Sequence, residues 1–385
     1  MTTRVIKNIG ELTTNDPTLG AGATGRLHNA AMVIDHDVVL WVGPNAQAPA
    51  ADEMIDARDC AVIPGFVDSH THLVFAGERS DEFEARMSGT SYDGGGIVST
   101  VNATRAASSD ELRRATQTRL RELRAGGVTT VEIKSGYALD VDGESRLIDI
   151  ANQFSDEVTF LGAHVVPREY AADRGGYVNL VRGPMLAACA PKSKWADVFC
   201  DRGAFDVDES REILTAARSA GLGLRVHGNQ LGETGGVALA VEMNAASVDH
   251  CSFLSDDDIE QLAASATVAT LLPGADFSTR ANYSSARRLS DRGALIALAT
   301  DCNPGTSYVT SMAFVLAIAV RDMRMEFDDA LWSATRGGAL ALRRDDVGHL
   351  GVGAKADVVI LDAPRAVHLA YRPGASIVRR VITAQ

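Results

Sequence analysis

Between residues 64 and 343 the chain repeats one pattern: a compact run of apolar and β-branched residues, then an amphipathic helical stretch. The runs are GFVDSHTH (65–72), VTTVEIKSG (128–136), VTFLGAH (158–164), ADVFCD (196–201), LGLRVHGN (222–229), SVDHC (247–251), TVATLLPG (267–274) and ALIALATD (294–301). Their length and apolar character suit parallel strands buried on both faces. Between them, SSDELRRATQTRLRELRAGG opens on Ser and Asp, which cap helix N-termini, and closes on a Gly pair, which ends them. SDDDIEQLAASA and ESREILTAARSAG read the same way. Eight strands alternating with helices predict an α/β fold, a (β/α)8 TIM-type barrel over 64–345. An open doubly wound sheet would need a Gly-rich phosphate turn after an early strand. DGGGIVST (93–100) has no clear strand before it and lacks that spacing, so it is expected to be a loop over the site.

The two ends differ from the middle. AAMVIDHDVVLWVGP near the start, and GHLGVGAKADVVILDAP with SIVRRVITA near the end, read as short strands broken by Gly, Asp and Pro turns. Neither end can build its own core. Residues 1–63 and 346–385 are therefore expected to pair into one small β-sandwich domain.

Composition narrows the partners. The net charge of -13 weighs against a nucleic-acid binder, which usually carries a basic face. The longest apolar candidate, Met312 to Val320, falls far short of the ~20 residues that span a bilayer. The N-terminal MTTRVIKNIGELTT lacks a leader pattern. Five scattered cysteines (Cys60, Cys189, Cys200, Cys251, Cys302) form no C-x-x-C pair and suit a reducing compartment. The expectation is a cytoplasmic protein acting on a small molecule, with neither nucleic acid nor membrane as partner.

In such barrels the active site lies at the C-terminal strand ends. Strand one ends in His70-Thr71-His72, strand three in His164, strand five in His227, strand six in His250 and strand eight in Asp301. Five of the nine histidines thus sit at strand ends, a concentration that points to chemistry. His70 and His72 alternate along a strand and face one side together. With His227 and Asp301 they make three imidazoles and one carboxylate, a set that suits one Zn2+ or Fe2+/Fe3+ and leaves a position for water.

This order of ligands resembles the amidohydrolase superfamily. Two-metal members carry a bridging Lys at the end of strand four. Here that strand ends in Asp201, and Lys134 ends strand two, where a structural or electrostatic role is expected. One metal is therefore favoured. The stretches PGFVDSHTHLVFAGER, GGGIVSTVNATRAAS, GVTTVEIKSGYALD, TFLGAHVVPREY, VATLLPGADF and ALATDCNPGTSYVTSM, with DVFCD and VDHC, resemble the imidazolonepropionase family over nearly the whole chain.

That resemblance implies hydrolytic opening of 4-imidazolone-5-propanoate to N-formimidoyl-L-glutamate in histidine degradation, by a homodimer. It implies that Arg79 binds the propionate, with Tyr92, Tyr137 and His164 as further groups around the carboxylate or ring. Gln230 would hydrogen-bond the ring but, unlike Glu, cannot accept a proton. Asn303, Gly305 and Thr306 would form a substrate-contacting loop. By residue type alone, Arg79 beside Glu78 and Asp81 also fits a surface ion pair, the two tyrosines fit packing, and 303–306 fits a turn.

In the implied mechanism a metal lowers the pKa of water to ~7. Asp301 takes the water's proton and later returns it to the leaving ring nitrogen. His250 hydrogen-bonds the oxyanion, or is itself the base. The sequence leaves both open. Two rivals are a deaminase or other cyclic-amide hydrolase with the same metal site, and a non-catalytic relative that kept only the fold.

Overall fold

The computed structural model describes residues 2–89 and 96–383. Eight strands form one sheet in chain order: Phe66–Asp68, Val128–Lys134, Glu157–Ala163, Trp195–Cys200, Gly223–Gly228, Ser247–His250, Val268–Leu271 and Ile296–Leu298. The paired neighbours from Val128–Lys134 onward run parallel. Helices separate them, so the expected (β/α)8 barrel is the fold.

The barrel closes through the residues of interest. The Asp301 amide donates to the His70 carbonyl at 3.0 Å, and the His72 amide donates to the Cys302 carbonyl at 3.0 Å. The first strand stops at Asp68, before its histidines. Thr71 then makes a single parallel bridge to Cys302. Strand eight likewise stops at Leu298, three residues short of Asp301.

The expected helices form, although the one read from Glu209 starts earlier, from a cap at Asp206 that the sequence reading did not name. Ser109–Ala125 ends against Gly126 and Gly127, the latter at φ 95°. Asp256–Ala263 starts from a capping box between Ser255 and Asp258, and Val207–Ser219 from one between Asp206 and Glu209. The segment 93–100 departs from expectation. Its residues 93–95 lie outside the described residues, and Ile97–Ala106 is a helix, not a loop. Three consecutive glycines hid a helix that starts as soon as side chains return.

The chain ends form a seven-stranded sheet. Its order is Val378–Ile382, Val358–Leu361, Ala61–Pro64, Thr3–Thr13, Arg26–Asp35 and Val38–Pro44, with Glu53–Asp56 also pairing Thr3–Thr13. Thr3–Thr13 pairs with Glu53–Asp56 along residues 4–7 and with Ala61–Pro64 at Glu11 and Leu12, and its ladder with Arg26–Asp35 shifts register between Ile6 and Ile9. One apolar core unites both ends, from Ile6, Leu12 and Met32 to Val358, Ile360 and Ile382. By Cα proximity the chain divides into residues 1–68 with 122–130 and 311–385, and residues 69–121 with 131–310. Every described site residue below belongs to the second group. Among the described residues, no helix is long and apolar enough to cross a membrane.

Candidate active site

Strand ends bring four donors to one point. His72 Nε2 lies 3.3 Å from His70 Nε2 and 3.3 Å from His227 Nε2. Asp301 Oδ1 stands 3.5 Å from His70 Nε2 and 3.6 Å from His72 Nε2. All four side chains are buried. Lone pairs this close repel unless a cation lies among them. Four ligands at about 2.0–2.1 Å from a tetrahedral zinc ion stand about 3.3–3.4 Å apart. The spacing therefore fits a divalent metal. His250 joins His70 and His227 in a second donor group, and Asp197, His227 and Asp249 form a third.

Protonation suits ligation. Burial, then the Lys134 charge, pushes His70 well below the ordinary imidazole range. Burial, then neighbouring imidazoles, does the same to His72 and His250. His70 donates its Nδ1–H to Asp249 Oδ2 at 2.7 Å, which leaves Nε2 as the lone-pair nitrogen. His227 Nδ1 lies 3.1 Å from Asp197 Oδ2.

Backbone conformation aims these side chains. His250 has φ 79° and Asp301 φ 52°, both left-handed. Such conformations cost about 1–3 kcal/mol each and persist where surrounding structure imposes them. At both positions the chain leaves the barrel ladder and turns its side chain toward the centre.

Above the donors lies a cavity of about 240 Å³, lined by His72, Arg79, Tyr137, His164, His227, Gln230, His250, Asp301, Asn303 and Thr306. Ile97 and Val98, from the unexpected helix, contribute apolar wall. Tyr92 lies outside the described residues. Of the remaining expected site residues, Gly305 borders the cavity through Arg79: a Cβ on Gly305 would stand 2.1 Å from Arg79 Nη1. Only glycine allows that approach. Arg79 is buried and forked, donating through Nε to Glu82 Oε1 at 2.9 Å and through Nη2 to Glu82 Oε2 at 2.6 Å. It is not paired with Glu78 or Asp81, because Glu82 lies one helical turn on.

His164 donates Nδ1–H to the Gly136 carbonyl at 2.9 Å, and burial, then His227, pulls its pKa down to about 3. Its Nε2 is therefore an acceptor. Its ring stacks on His72 with centroids 5.3 Å apart, and Tyr137 tilts over both. The Asn303 amide is spent within its own loop. It donates to the Asp301 carbonyl at 2.7 Å and accepts from the Gly305 and Thr306 amides at 2.8 Å each.

The sequence reading gave Asp201 no role beyond ending a strand and Lys134 only a structural or electrostatic one, and it missed Glu132, Asp197, Phe199, Arg202, Arg225 and Asp249. Asp201 accepts from the backbone amides of Gln230 at 2.6 Å and Leu231 at 3.0 Å, and so fixes the loop that carries Gln230. Phe199 and Arg202 also line the cavity. Beneath the donors, Glu132, Lys134, Asp197, Arg225 and Asp249 are buried together. Their signal was present: charged residues inside otherwise apolar runs (VEIK, ADVF, LRVH, VDH). Which of them meet is not readable from the runs themselves.

Comparison with known proteins agrees with this geometry. The amidohydrolase family profile matches residues 79–373. The chain is 59% identical over 385 residues to an imidazolonepropionase of Salinispora arenicola, covering 99% of this chain and 98% of that one. It is 59% identical over 383 residues to an imidazolonepropionase of Mycolicibacterium smegmatis, covering 99% and 96%. Among solved structures, an atrazine chlorohydrolase variant from Arthrobacter aurescens superposes with TM-score 0.75 at 17% identity, over 99% of this chain and 94% of that one. An ochratoxinase of A. niger gives TM-score 0.71 at 18% identity, over 100% and 94%. At those identities the likeness is one of fold.

Proposed function

The chain belongs to the amidohydrolase family and, within it, to the imidazolonepropionases; from that premise we propose that it opens the ring of 4-imidazolone-5-propanoate by hydrolysis, giving N-formimidoyl-L-glutamate in histidine degradation. The observation that carries this reading is the convergence of three imidazole nitrogens and Asp301 Oδ1 beneath a cavity walled by a buried, oriented guanidinium.

His70, His72, His227 and Asp301 would hold one divalent cation, zinc or iron. When bound, it acidifies a water and polarises the substrate carbonyl. The protein's own groups do the rest. Arg79 binds the propionate through the Nη1 side of its guanidinium, which the Nε/Nη2 pair with Glu82 leaves over and holds in place. His164 Nε2 accepts a ring N–H rather than donating to the carboxylate, because its one proton is committed to Gly136. Gln230 pairs with the ring through donor and acceptor. Tyr137 and the 303–306 loop complete the wall around the tail, and the family resemblance gives Tyr92 a substrate-binding role as well. Asp301 takes the proton from the attacking water and delivers it to the leaving ring nitrogen. His250 hydrogen-bonds the oxygen on which negative charge develops. On this reading the working unit is a cytoplasmic homodimer.

A turnover assay tests the reading. Imidazolone propanoate should be consumed, the chelator-treated protein should be inactive, and added zinc or iron(II) should restore it. Faster turnover of a neutral aminopurine or hydantoin would move the protein to another amidohydrolase activity. Light scattering tests the dimer.

A further inference from the structure

The cluster beneath the metal-facing nitrogens has its own logic. Lys134 Nζ is fully buried and lies 3.0 Å from Glu132 Oε1, 2.8 Å from Asp197 Oδ2 and 3.8 Å from Asp249 Oδ2. Asp249 accepts from His70 Nδ1, and Asp197 faces His227 Nδ1. One ammonium therefore touches both carboxylates behind two of the histidines. Asp197, His227 and Asp249 also present donors close enough together to hold a cation of their own. Lys134 places a permanent positive charge among them.

Two buried carboxylates side by side repel, and no water is at hand to screen them. With the ammonium between them, both stay in place as acceptors. An acceptor at Nδ1 fixes hydrogen on that nitrogen and leaves the Nε2 lone pair for a metal. The two carboxylates are not equally served. Asp249 also lies 3.4 Å from Arg225 Nη2, and that guanidinium is itself anchored on the Ser69 carbonyl at 2.7 Å. For Asp197, Lys134 is the cation at contact distance among the described residues, and its other oxygen accepts the His227 amide at 3.2 Å.

We propose that Lys134 is a positioning residue that sets metal affinity: its ammonium stands where a second cation could bind and holds Asp197 and Asp249 so that His227 and His70 present Nε2 lone pairs. The inference rests on the metal site proposed above. It further assigns the His227 arm as the more dependent one.

The test uses full-length protein stripped of metal and titrated with zinc against a chromophoric chelator. Loss of such a supporting partner typically weakens metal binding about 10–100-fold. Lys134→Met should show a loss of that size, and Lys134→Arg should recover part of it. In nitrogen-detected imidazole spectra of the metal-free protein, the Nδ1–H signal of His227 should change more than that of His70. Zinc affinity within twofold of wild type in folded Lys134→Met overturns the proposal, as does an equal drop in melting temperature with and without zinc. If Lys134→Met does not fold, Asp197→Asn stands in. It should lose zinc affinity to the same degree, and wild-type affinity there is equally fatal. If the wild-type protein itself binds no zinc or iron, the metal-site reading fails instead, and the two failures are distinct.

Discussion

The roles proposed for single residues separate binding from proton transfer, and each can be measured. Two arginines, Arg79 and Arg202, line the cavity. Arg79 is buried and pre-oriented, whereas Arg202 is exposed. Arg79→Met should therefore raise KM for the anionic substrate at least about tenfold, as expected when a charged fork is lost, with a smaller effect from Arg202→Met. Equal effects would remove Arg79 from its role. Gly305→Ala should mimic Arg79 loss in part, because its Cβ would meet Arg79 Nη1. A wild-type KM in that variant would show that the guanidinium can shift without consequence. Asp301→Ala and His250→Ala should each cost about 10²–10⁴ in kcat, the usual range for a positioned proton-transfer or oxyanion group. Near-normal kcat in either variant takes that residue out of the chemistry.

Elements carry the site by where they end. The strands were legible as apolar runs, and the helices as capped amphipathic stretches, because both are local patterns. The ends were less legible. Phe66–Asp68 stops before the histidines, which then close the barrel against Asp301 and Cys302 rather than extending a strand. The strand Thr3–Thr13 was missed because polar residues and a register shift break its alternation.

One short helix, Pro273–Thr279, carries a group with a consequence for pH. Burial lifts the Asp276 carboxyl to about 7, against the pull of its hydrogen bond from Ser252 Oγ at 2.8 Å. Its folded pKa lies above the unfolded value of 3.8. Between these values the folded protein holds more protons, so this contribution is fully present below about pH 4 and is lost as pH rises to 7. The span is of the order of 4 kcal/mol, at 1.36 kcal/mol per pH unit. Asp276→Asn removes the ionisation. Urea unfolding of the metal-free protein at pH 5 and pH 8 should show a gentler decline in the variant than in wild type. An unchanged slope would mean that Asp276 does not titrate in this range.

At the scale of the whole molecule, a cation held by these donors would link the site to stability. A ligand bound only by the folded state adds about 2.7 kcal/mol at a hundred times its Kd. Chelation should therefore lower the melting temperature along with activity, and zinc or iron(II) should restore both together. Activity that survives removal of the metal would contradict the donor set's assignment.

The sequence by itself determined what depends on neighbours along the chain: the strand–helix alternation, the caps, the shared face of His70 and His72, and the crowding of histidine at strand ends. It also carried the family resemblance. Tertiary structure decided what depends on closure. His70 meets Asp249 across 179 residues, and His227 meets His72 across 155. No local period encodes such pairings, because they arise only when the eighth strand's end returns to the first and points every strand end inward. The same closure turned five charged residues scattered through apolar runs into one buried network, and set Lys134 against Asp197 and Asp249, the carboxylates that face His227 and His70.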